Sequence, residues 1–317
     1  MTVHQELAAA APPRDCVLTL GVFDGVHLGH QRLLSRLVEE GRRRDLLAGV
    51  LTFRNHPRAV LTPGAPLALL SSFPEREALL RAAGVDFVAA VTFTPELSRL
   101  PARQFATLLV EHLRVRGMVV GPDFAMGHRR EGTVPVVREL GRELGFTVEA
   151  VEPLTLDGMV VSSSAIRRAV LQGEVEVAAR MLGRPYPLPG RVVRGAGRGR
   201  GLGFPTANLE VEAGRAVPGD GIYATWALVE GRRFPAATSV GVRPTFGGGA
   251  RAVEAHLLDF HGELYGTTVT LEFVARLREE RRFESPQALA AQMERDVAQA
   301  GALLAQRPVP AAGRRAT

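Results

Sequence analysis

Two histidines three residues apart, His27 and His30, are the side chains of the first half best placed to do chemistry. They lie in the run Gly21-Val22-Phe23-Asp24-Gly25-Val26-His27-Leu28-Gly29-His30. Residues at i and i+3 share a helix face, and imidazole N–H groups aimed at one phosphorus can stabilise oxygens that gain charge during group transfer. Gly21, Gly25 and Gly29 remove side chains where a ligand must reach the backbone. A helix starting here adds free N–H groups and the positive end of its dipole, both favourable to phosphate. Two other uses of the pair stay open. The histidines could simply cap or pack the turn, or they could hold a metal, although no Cys, Asp or Glu cluster with ligand spacing accompanies them.

Positioning such a pair requires a strand before it and a helix after it. The apolar run Val17-Leu18-Thr19-Leu20 predicts a buried strand, and Gln31-Arg32-Leu33-Leu34-Ser35-Arg36-Leu37-Val38 has helical apolar spacing. Further strands are predicted at 46–53, 85–93, 117–121 and 146–151, with helices at about 74–83, 102–113, 133–145 and 162–171. This alternation predicts an open parallel α/β sheet, whose ligands sit outside the carboxyl ends of the strands.

Three more segments fall at that edge. Gly121-Pro122-Asp123-Phe124-Ala125-Met126-Gly127-His128-Arg129-Arg130 is a cationic, glycine-punctuated loop. Ser162-Ser163-Ser164-Ala165-Ile166-Arg167 opens a helix with three hydroxyls and an arginine; it could be an ordinary cap or a seat for a triphosphate tail. Thr52-Phe53-Arg54-Asn55-His56-Pro57 ends the second strand, with His56 held extended by Pro57.

The Pro/Gly cluster from Gly183 to Gly190 predicts a domain boundary. Beyond it, short alternating runs at 191–194, 221–228, 239–242, 253–258 and 269–274 predict a small antiparallel barrel. A final helix at 285–304 opens with Ser285 as N-cap and Pro286 at its first position. The glycine/arginine alternation over 195–203 reads by itself as a flexible linker or an RNA-friendly tract.

Composition narrows the classes. The 317 residues suffice for two domains, and no apolar run is long enough to span a bilayer. All 39 basic side chains are arginine, which excludes a P-loop lysine and a Schiff-base lysine. Despite a net charge of +6, the arginines are interleaved with acids rather than gathered into a stripe, which argues against nucleic acid. Cys16 is the single cysteine, so no internal disulfide can form and a reducing cytoplasm is expected. Residues 1–16 are expected to be a frayed leader and 307–317 a disordered tail.

The string Gly-x-Phe-Asp-Gly-x-His-x-Gly-His resembles the signature of the HxGH nucleotidylyltransferases, in the branch of prokaryotic bifunctional riboflavin kinase/FAD synthetases. Gly121–Gly127 resembles that family's nucleotide-contacting Gly-x-Asp-Phe-x-Phe-Gly segment, with Met126 in the aromatic position and His128 where Lys or Arg is usual. Residues 162–167 resemble its Ser-Ser-Thr-x-x-Arg motif, with Ser164 for Thr, and residues 52–57 its Thr-Phe-x-Pro-His-Pro segment, with Asn55 for the first Pro. Arg200-Gly201-Leu202-Gly203-Phe204-Pro205-Thr206-Ala207-Asn208 resembles the riboflavin kinase signature, and Val253-Glu254-Ala255-His256-Leu257-Leu258-Asp259-Phe260 the segment carrying the kinase base. Residues 240–246 and 277–280 resemble segments near flavin and nucleotide.

The resemblance implies a Rossmann-like nucleotidylyltransferase domain at 17–182 and an antiparallel β-barrel riboflavin kinase domain at 183–306 that ends in a long helix. It implies phosphorylation of riboflavin by ATP in the second domain, then adenylylation of FMN to FAD with release of pyrophosphate in the first. His27, His30 and Arg167 would be catalytic there, with Gly21, Phe23, Asp24, Gly25, Gly29, Asp123, Ser163 and Ser164 binding ATP. In the kinase, Gly199, Arg200, Gly203, Phe204, Pro205 and Arg278 would bind ATP or flavin. Thr206 and Asn208 face one side of an extended segment, and with ATP phosphates and water they would hold Mg²⁺. A hydroxyl acceptor needs a base, and of Glu254, Glu263 and Glu272 the resemblance selects Glu254, with His256 on the same face able to orient it. The acceptor in adenylylation is a phosphate with a second pKa of about 6, so that reaction needs no base. Expected partners are ATP, riboflavin and FMN, with no nucleic acid and no membrane; self-association stays open. Two rivals remain: a barrel that only binds flavin, and a non-enzymatic nucleic-acid binder, the latter disfavoured by an aromatic content of 6%.

Overall fold

The computed structural model describes residues 2–195, 201, 203–242 and 251–307. They divide into two compact units, Met1–Ser163 and Ser164–Thr317.

The first unit begins with a helix, not a frayed leader. Val3–Ala9 (α1) is closed by a capping box between Thr2 and Gln5. Leu7 is fully buried, and the Glu6 carboxylate accepts from the Thr92 amide and hydroxyl, both at 2.8 Å. Single-sequence reading missed this because the anchor lies 86 residues away.

Chain order then runs β1 (Cys16–Leu20), α2 (Leu28–Arg43), β2 (Leu47–Phe53), α3 (Pro57–Leu61), α4 (Phe73–Ala82), β3 (Phe87–Val91), α5 (Pro95–Ser98), α6 (Ala102–Leu113) and β4 (Val115–Val120). It continues with the short pair β5 (Ala125–Met126) and β6 (Gly132–Thr133), then α7 (Val134–Leu144), β7 (Thr147–Ala150), and the hairpin β8 (Thr155–Leu156) and β9 (Met159–Val160). Five strands form one parallel sheet in the order β3-β2-β1-β4-β7, as the alternation predicted. Alternate residues feed apolar layers on its two faces: Cys16 and Leu18 join one cluster, Val17 the other. Strand order reverses at β1, whose neighbours are β2 and β4. That is the switch point where a doubly wound sheet opens a crevice, and the His27/His30 turn leaves β1 there.

α8 (Ser163–Gln172) opens on the last residue of the first unit, and α9 (Val175–Leu182) follows it. The second unit is a closed antiparallel barrel of β10 (Tyr186–Val193), β11 (Ala207–Val211), β12 (Gly221–Val229), β13 (Arg232–Val242), β14 (Arg251–Leu257) and β15 (Thr268–Arg278), in the order β10-β11-β14-β13-β12-β15. The expected barrel is therefore present, with one strand longer than expected and one more added. The strand expected at 191–194 starts at Tyr186, inside the Pro/Gly cluster, and pairs with β15 from Tyr186↔Phe273 to Arg191↔Thr268. Its prolines are tolerated because pairing with β11 starts only at Gly190, so the missing N–H groups break no ladder on that side. Strand β11 was not predicted from periodicity; its five residues follow a glycine-rich stretch. The last helix, α10 (Pro286–Gln306), is capped by Ser285 and packs Ala300 and Leu304 on Ala224 and Val274.

Candidate active sites

The turn after β1 is built from inside out by Asp24. Its buried carboxylate accepts from the amides of Leu70 and Ser71 and from the Ser71 hydroxyl, at 3.0 to 3.2 Å. The Ser71 hydroxyl in turn accepts from the Gly25 amide at 2.9 Å. Asp24 is thus occupied in shaping the turn, whereas a ligand contact was expected of it. Phe23 and Val26 have φ of 55° and 40°, and Gly25 has 80°. Left-handed backbone at a β-branched residue is strained, and the Asp24 network holds it in place.

His27 is the N-cap of α2: its Nδ1 accepts from the His30 amide at 3.3 Å. With Nδ1 an acceptor, the neutral ring carries its proton on Nε2, so the imidazole can donate from its far side. The His27 and His30 rings stack at 3.6 Å with an 18° tilt, and Phe23 meets His30 edge-on at 5.0 Å. Burial, reinforced by His27, holds the His30 pKa well below its ordinary value, so the pair avoids placing two cations face to face. His30 Nδ1 is buried with no hydrogen-bond partner among the described residues. A Cβ at Gly29 would press the His27 ring at 3.2 Å and the Val161 carbonyl at 3.4 Å, so the ring would have to give by a few tenths of an ångström. Ser163 reaches the same turn, donating from its hydroxyl to the Asp24 carbonyl at 2.9 Å. Ser164 and Arg167 lie in the first turns of α8, past the division between the units. The His27/His30 pair at the start of α2 is a neutral, preorganised donor set at a helix N-terminus, suited to charge that develops on phosphoryl oxygens.

Beside it lies an apolar cavity of about 510 Å³, bounded by Gly21, Phe53, Phe93, Phe105, Phe124 and Arg130, among others. Asp123 and His128 also line it, His128 with Nδ1 at 3.2 Å from the Ser98 carbonyl. Asn55, in the place of a proline in the resembling segment, exchanges hydrogen bonds of 2.9 and 2.8 Å with the Phe93 backbone and so ties β2 to the end of β3. His56 caps α3 through Nδ1, a structural use. The phenylalanines of this wall come from four separate segments, and spacing alone did not bring them together.

In the barrel, Asn208 on β11 stands opposite Glu254 on β14. Thr206, two residues earlier on the same face, donates to the Glu254 carboxylate at 3.4 Å. The backbone at Gly195 passes so close that a Cβ there would lie 2.3 Å from the Asn208 amide nitrogen. Thr206, Asn208, Gly195 and Pro205 line a cavity of about 730 Å³, with Glu263 on its wall. Thr206, Asn208 and Glu254 therefore converge. Among the other acids, Glu272 is held by Arg233 at 3.0 and 3.2 Å and is removed as a candidate base. His256 does not orient Glu254; its ring Nδ1 meets the Pro205 carbonyl at 2.8 Å, and its ring makes a T-shaped contact with Phe204, centroids 5.6 Å apart. Gly203 adopts φ of 87° in that loop. Arg278 is committed elsewhere, forking onto Asp296 of α10 at 2.9 and 2.7 Å and donating to the Glu279 carbonyl. Gly199, Arg200 and residues 243–246 of the resembling segment lie outside the described residues, as does the tail from 308.

Thr206 and Asn208 offer neutral oxygens, and no group of three or more His, Cys, Asp or Glu that could hold a metal occurs among the described residues. This donor set suits a hard cation that brings its own phosphate and water ligands. No helix among the described residues is long and apolar enough to cross a membrane.

Residues 9–165 match the family model described as FAD synthetase, and residues 182–304 the model described as riboflavin kinase. A bifunctional riboflavin kinase/FMN adenylyltransferase of Pseudomonas fluorescens is 41% identical over 92% of this chain and 94% of its own length. Its counterpart from Escherichia coli K12 is 38% identical over 90% and 92%. A solved structure described as a macrolide-efflux protein from Streptococcus pneumoniae superposes with a TM-score of 0.87 at 30% identity, covering 96% of this chain and 97% of that one.

Proposed function

The chain belongs to the bifunctional riboflavin kinase/FMN adenylyltransferase family, and from that premise we propose how its residues divide the two reactions. The chain makes FMN from riboflavin and ATP, and FAD from FMN and ATP. We place the functional domains at 17–182 and 183–306, with the helix Val3–Ala9 packed onto the former.

The adenylyltransferase site is at His27 and His30. The stacked, neutral pair supports this reading most directly: Nε2 of His27 donates to an oxygen of the ATP α-phosphate as a phosphate oxygen of FMN attacks and pyrophosphate leaves. Ser163, Ser164 and Arg167 take the departing phosphates at the start of α8, and Gly21, Phe23, Gly25, Gly29 and Asp123 shape the nucleotide's surroundings. The neighbouring apolar cavity accepts the flavin rings.

The kinase site is at Thr206, Asn208 and Glu254. Glu254 removes the proton of the riboflavin 5′-hydroxyl, whose oxygen attacks the γ-phosphorus of ATP and displaces ADP. Thr206 and Asn208 would hold Mg²⁺, which supplies charge neutralisation at the ATP phosphates; Thr206 also orients Glu254. Gly199, Arg200, Gly203, Phe204 and Pro205 bind ATP or flavin; of these, Gly203, Phe204 and Pro205 are in the described stretch just before β11. Arg278 is a clamp for α10 instead of a ligand contact.

His30→Ala in the full chain tests the assignment. FMN accumulates from riboflavin while FAD formation falls on the order of 100- to 1,000-fold, the usual loss for one transition-state donor. Equal loss of both products from a folded protein defeats it.

A further inference from the structure

We infer that His128 is a specificity residue of the apolar cavity, its Nε2 accepting the ring N–H of the isoalloxazine system of FMN. The inference rests on the reading of that cavity as the flavin seat of the adenylyltransferase site. His128 is half-buried and lines the cavity. Its Nδ1 lies 3.2 Å from the Ser98 carbonyl oxygen, which can only accept, so Nδ1 carries the proton. In the neutral ring Nε2 is then an acceptor. It has no hydrogen-bond partner among the described residues, and it is not sealed off as a buried atom.

The ring is held in that orientation by its own loop. The His128 amide donates to the Leu100 carbonyl at 2.8 Å, and the Glu131 carboxylate accepts from the Ala102 amide at 2.7 Å. Both bonds tie the loop to the chain entering α6. Gly127, with φ of 77°, passes so close that a Cβ there would stand 2.5 Å from the Ala102 amide nitrogen. An acceptor fixed in this way loses little freedom when a ligand binds. Its rivals on the wall are few. Arg129 and Arg130 line the cavity but only donate. Asp123 is exposed, and the Ser98 hydroxyl donates to the Pro95 carbonyl at 2.7 Å. Oxidised isoalloxazine carries one ring N–H, at N3, and its other ring-edge polar atoms accept. Burying that N–H without a partner is costly. The Lys or Arg usual at this position of the resembling segment could not accept it.

The full-length chain tests this, assayed for adenylylation of FMN and of N3-methyl-FMN. Asparagine matches the ring as far as Nδ1 and keeps the donor to Ser98. Glutamine reaches as far as Nε2 and places an oxygen there. His128→Asn raises KM for FMN on the order of 10-fold, the worth of about one hydrogen bond, with kcat and KM for ATP little changed. His128→Gln recovers most of that affinity. The parent handles N3-methyl-FMN on the order of 10-fold worse than FMN, because its acceptor is left unpaired. His128→Asn brings the two flavins within about threefold, having no acceptor to lose. A purely structural role for His128 reverses the order of the variants, asparagine being the milder. That result, an unchanged discrimination between the flavins, or a rise in KM for ATP instead of FMN overturns the inference. Phe93→Ala run alongside separates it from the reading beneath it. If KM for FMN does not move in Phe93→Ala, the cavity is not the flavin seat. If it rises there while His128→Asn leaves it in place, only the assignment of His128 has failed.

Discussion

The two proposed sites would solve opposite proton problems with different architecture. On the parallel sheet, the acceptor arrives as an anion, and the chain supplies donors without a base: two stacked imidazoles at a helix start, one a cap with its proton on the far nitrogen, the other kept neutral by burial. In the barrel, the acceptor is a neutral alcohol, and a carboxylate faces two neutral oxygens across neighbouring antiparallel strands. What they share is a close backbone approach. Gly29 lets the chain pass the His27 ring, and Gly195 lets it pass the Asn208 amide. Side-chain chemistry follows the ionisation state of the acceptor, and glycine placement follows the need to pack backbone against a working side chain.

Glu254→Gln should break the comparison most visibly. Riboflavin phosphorylation falls on the order of 100- to 10,000-fold, the range for losing a general base, while FMN supplied directly is still adenylylated at the parent rate. Parallel losses in separate assays of the two steps would erase the distinction.

Asp296→Ala sharpens what belongs to the barrel site. Asp296 is 4% exposed and holds Arg278 and Gln292. Breaking a buried ion pair from one side costs about 3–5 kcal/mol, so denaturant unfolding should show a large loss with KM for ATP unchanged. A raised KM at unchanged stability would return Arg278 to the substrate.

The matched glycine variants come next. Gly29→Ala pushes the His27 ring by a few tenths of an ångström and lowers FAD formation on the order of 10-fold; Gly195→Ala displaces Asn208 and lowers FMN formation by a similar factor. Each should spare the other reaction, as initial rates on each substrate will read.

The smallest effect is on stability against pH. The His30 pKa is lowered in the folded chain, so below its ordinary value of 6.5 the unfolded chain binds a proton that the folded one refuses. Stability therefore falls as pH drops below 6.5, by at most about 1.4 kcal/mol per pH unit, and is insensitive to this group above it. His30→Gln should flatten that part of a thermal-melt profile.

Much of this was legible in the chain before any coordinates. The alternation of apolar runs marked the parallel sheet, and the ordered motifs pointed to both proposed sites, because strand–turn–helix signals and glycine-rich turns are local. Asn55 illustrates the limit. It departs from the resembling pattern, and only the ends of β2 and β3 side by side show the pair of hydrogen bonds it makes instead. His256 was expected to be able to orient Glu254 and Arg278 to contact ATP or flavin, yet their partners are a carbonyl in the adjacent loop and an aspartate on α10. The leader is a packed helix for the same reason: Glu6 finds Thr92 far along the chain.

The sequence by itself determined which side chains could carry the chemistry and which local turn each occupies, since capping, periodicity and glycine conformations depend on a few neighbouring residues. Only the tertiary structure decided which of them meet. Asp24 is joined to Ser71, Arg76 to Phe53, and Glu254 to Thr206 by contacts spanning 23 to 48 residues. Such pairings are set by sheet order and barrel closure, which bury whole faces at once and leave no trace in the spacing of any single segment.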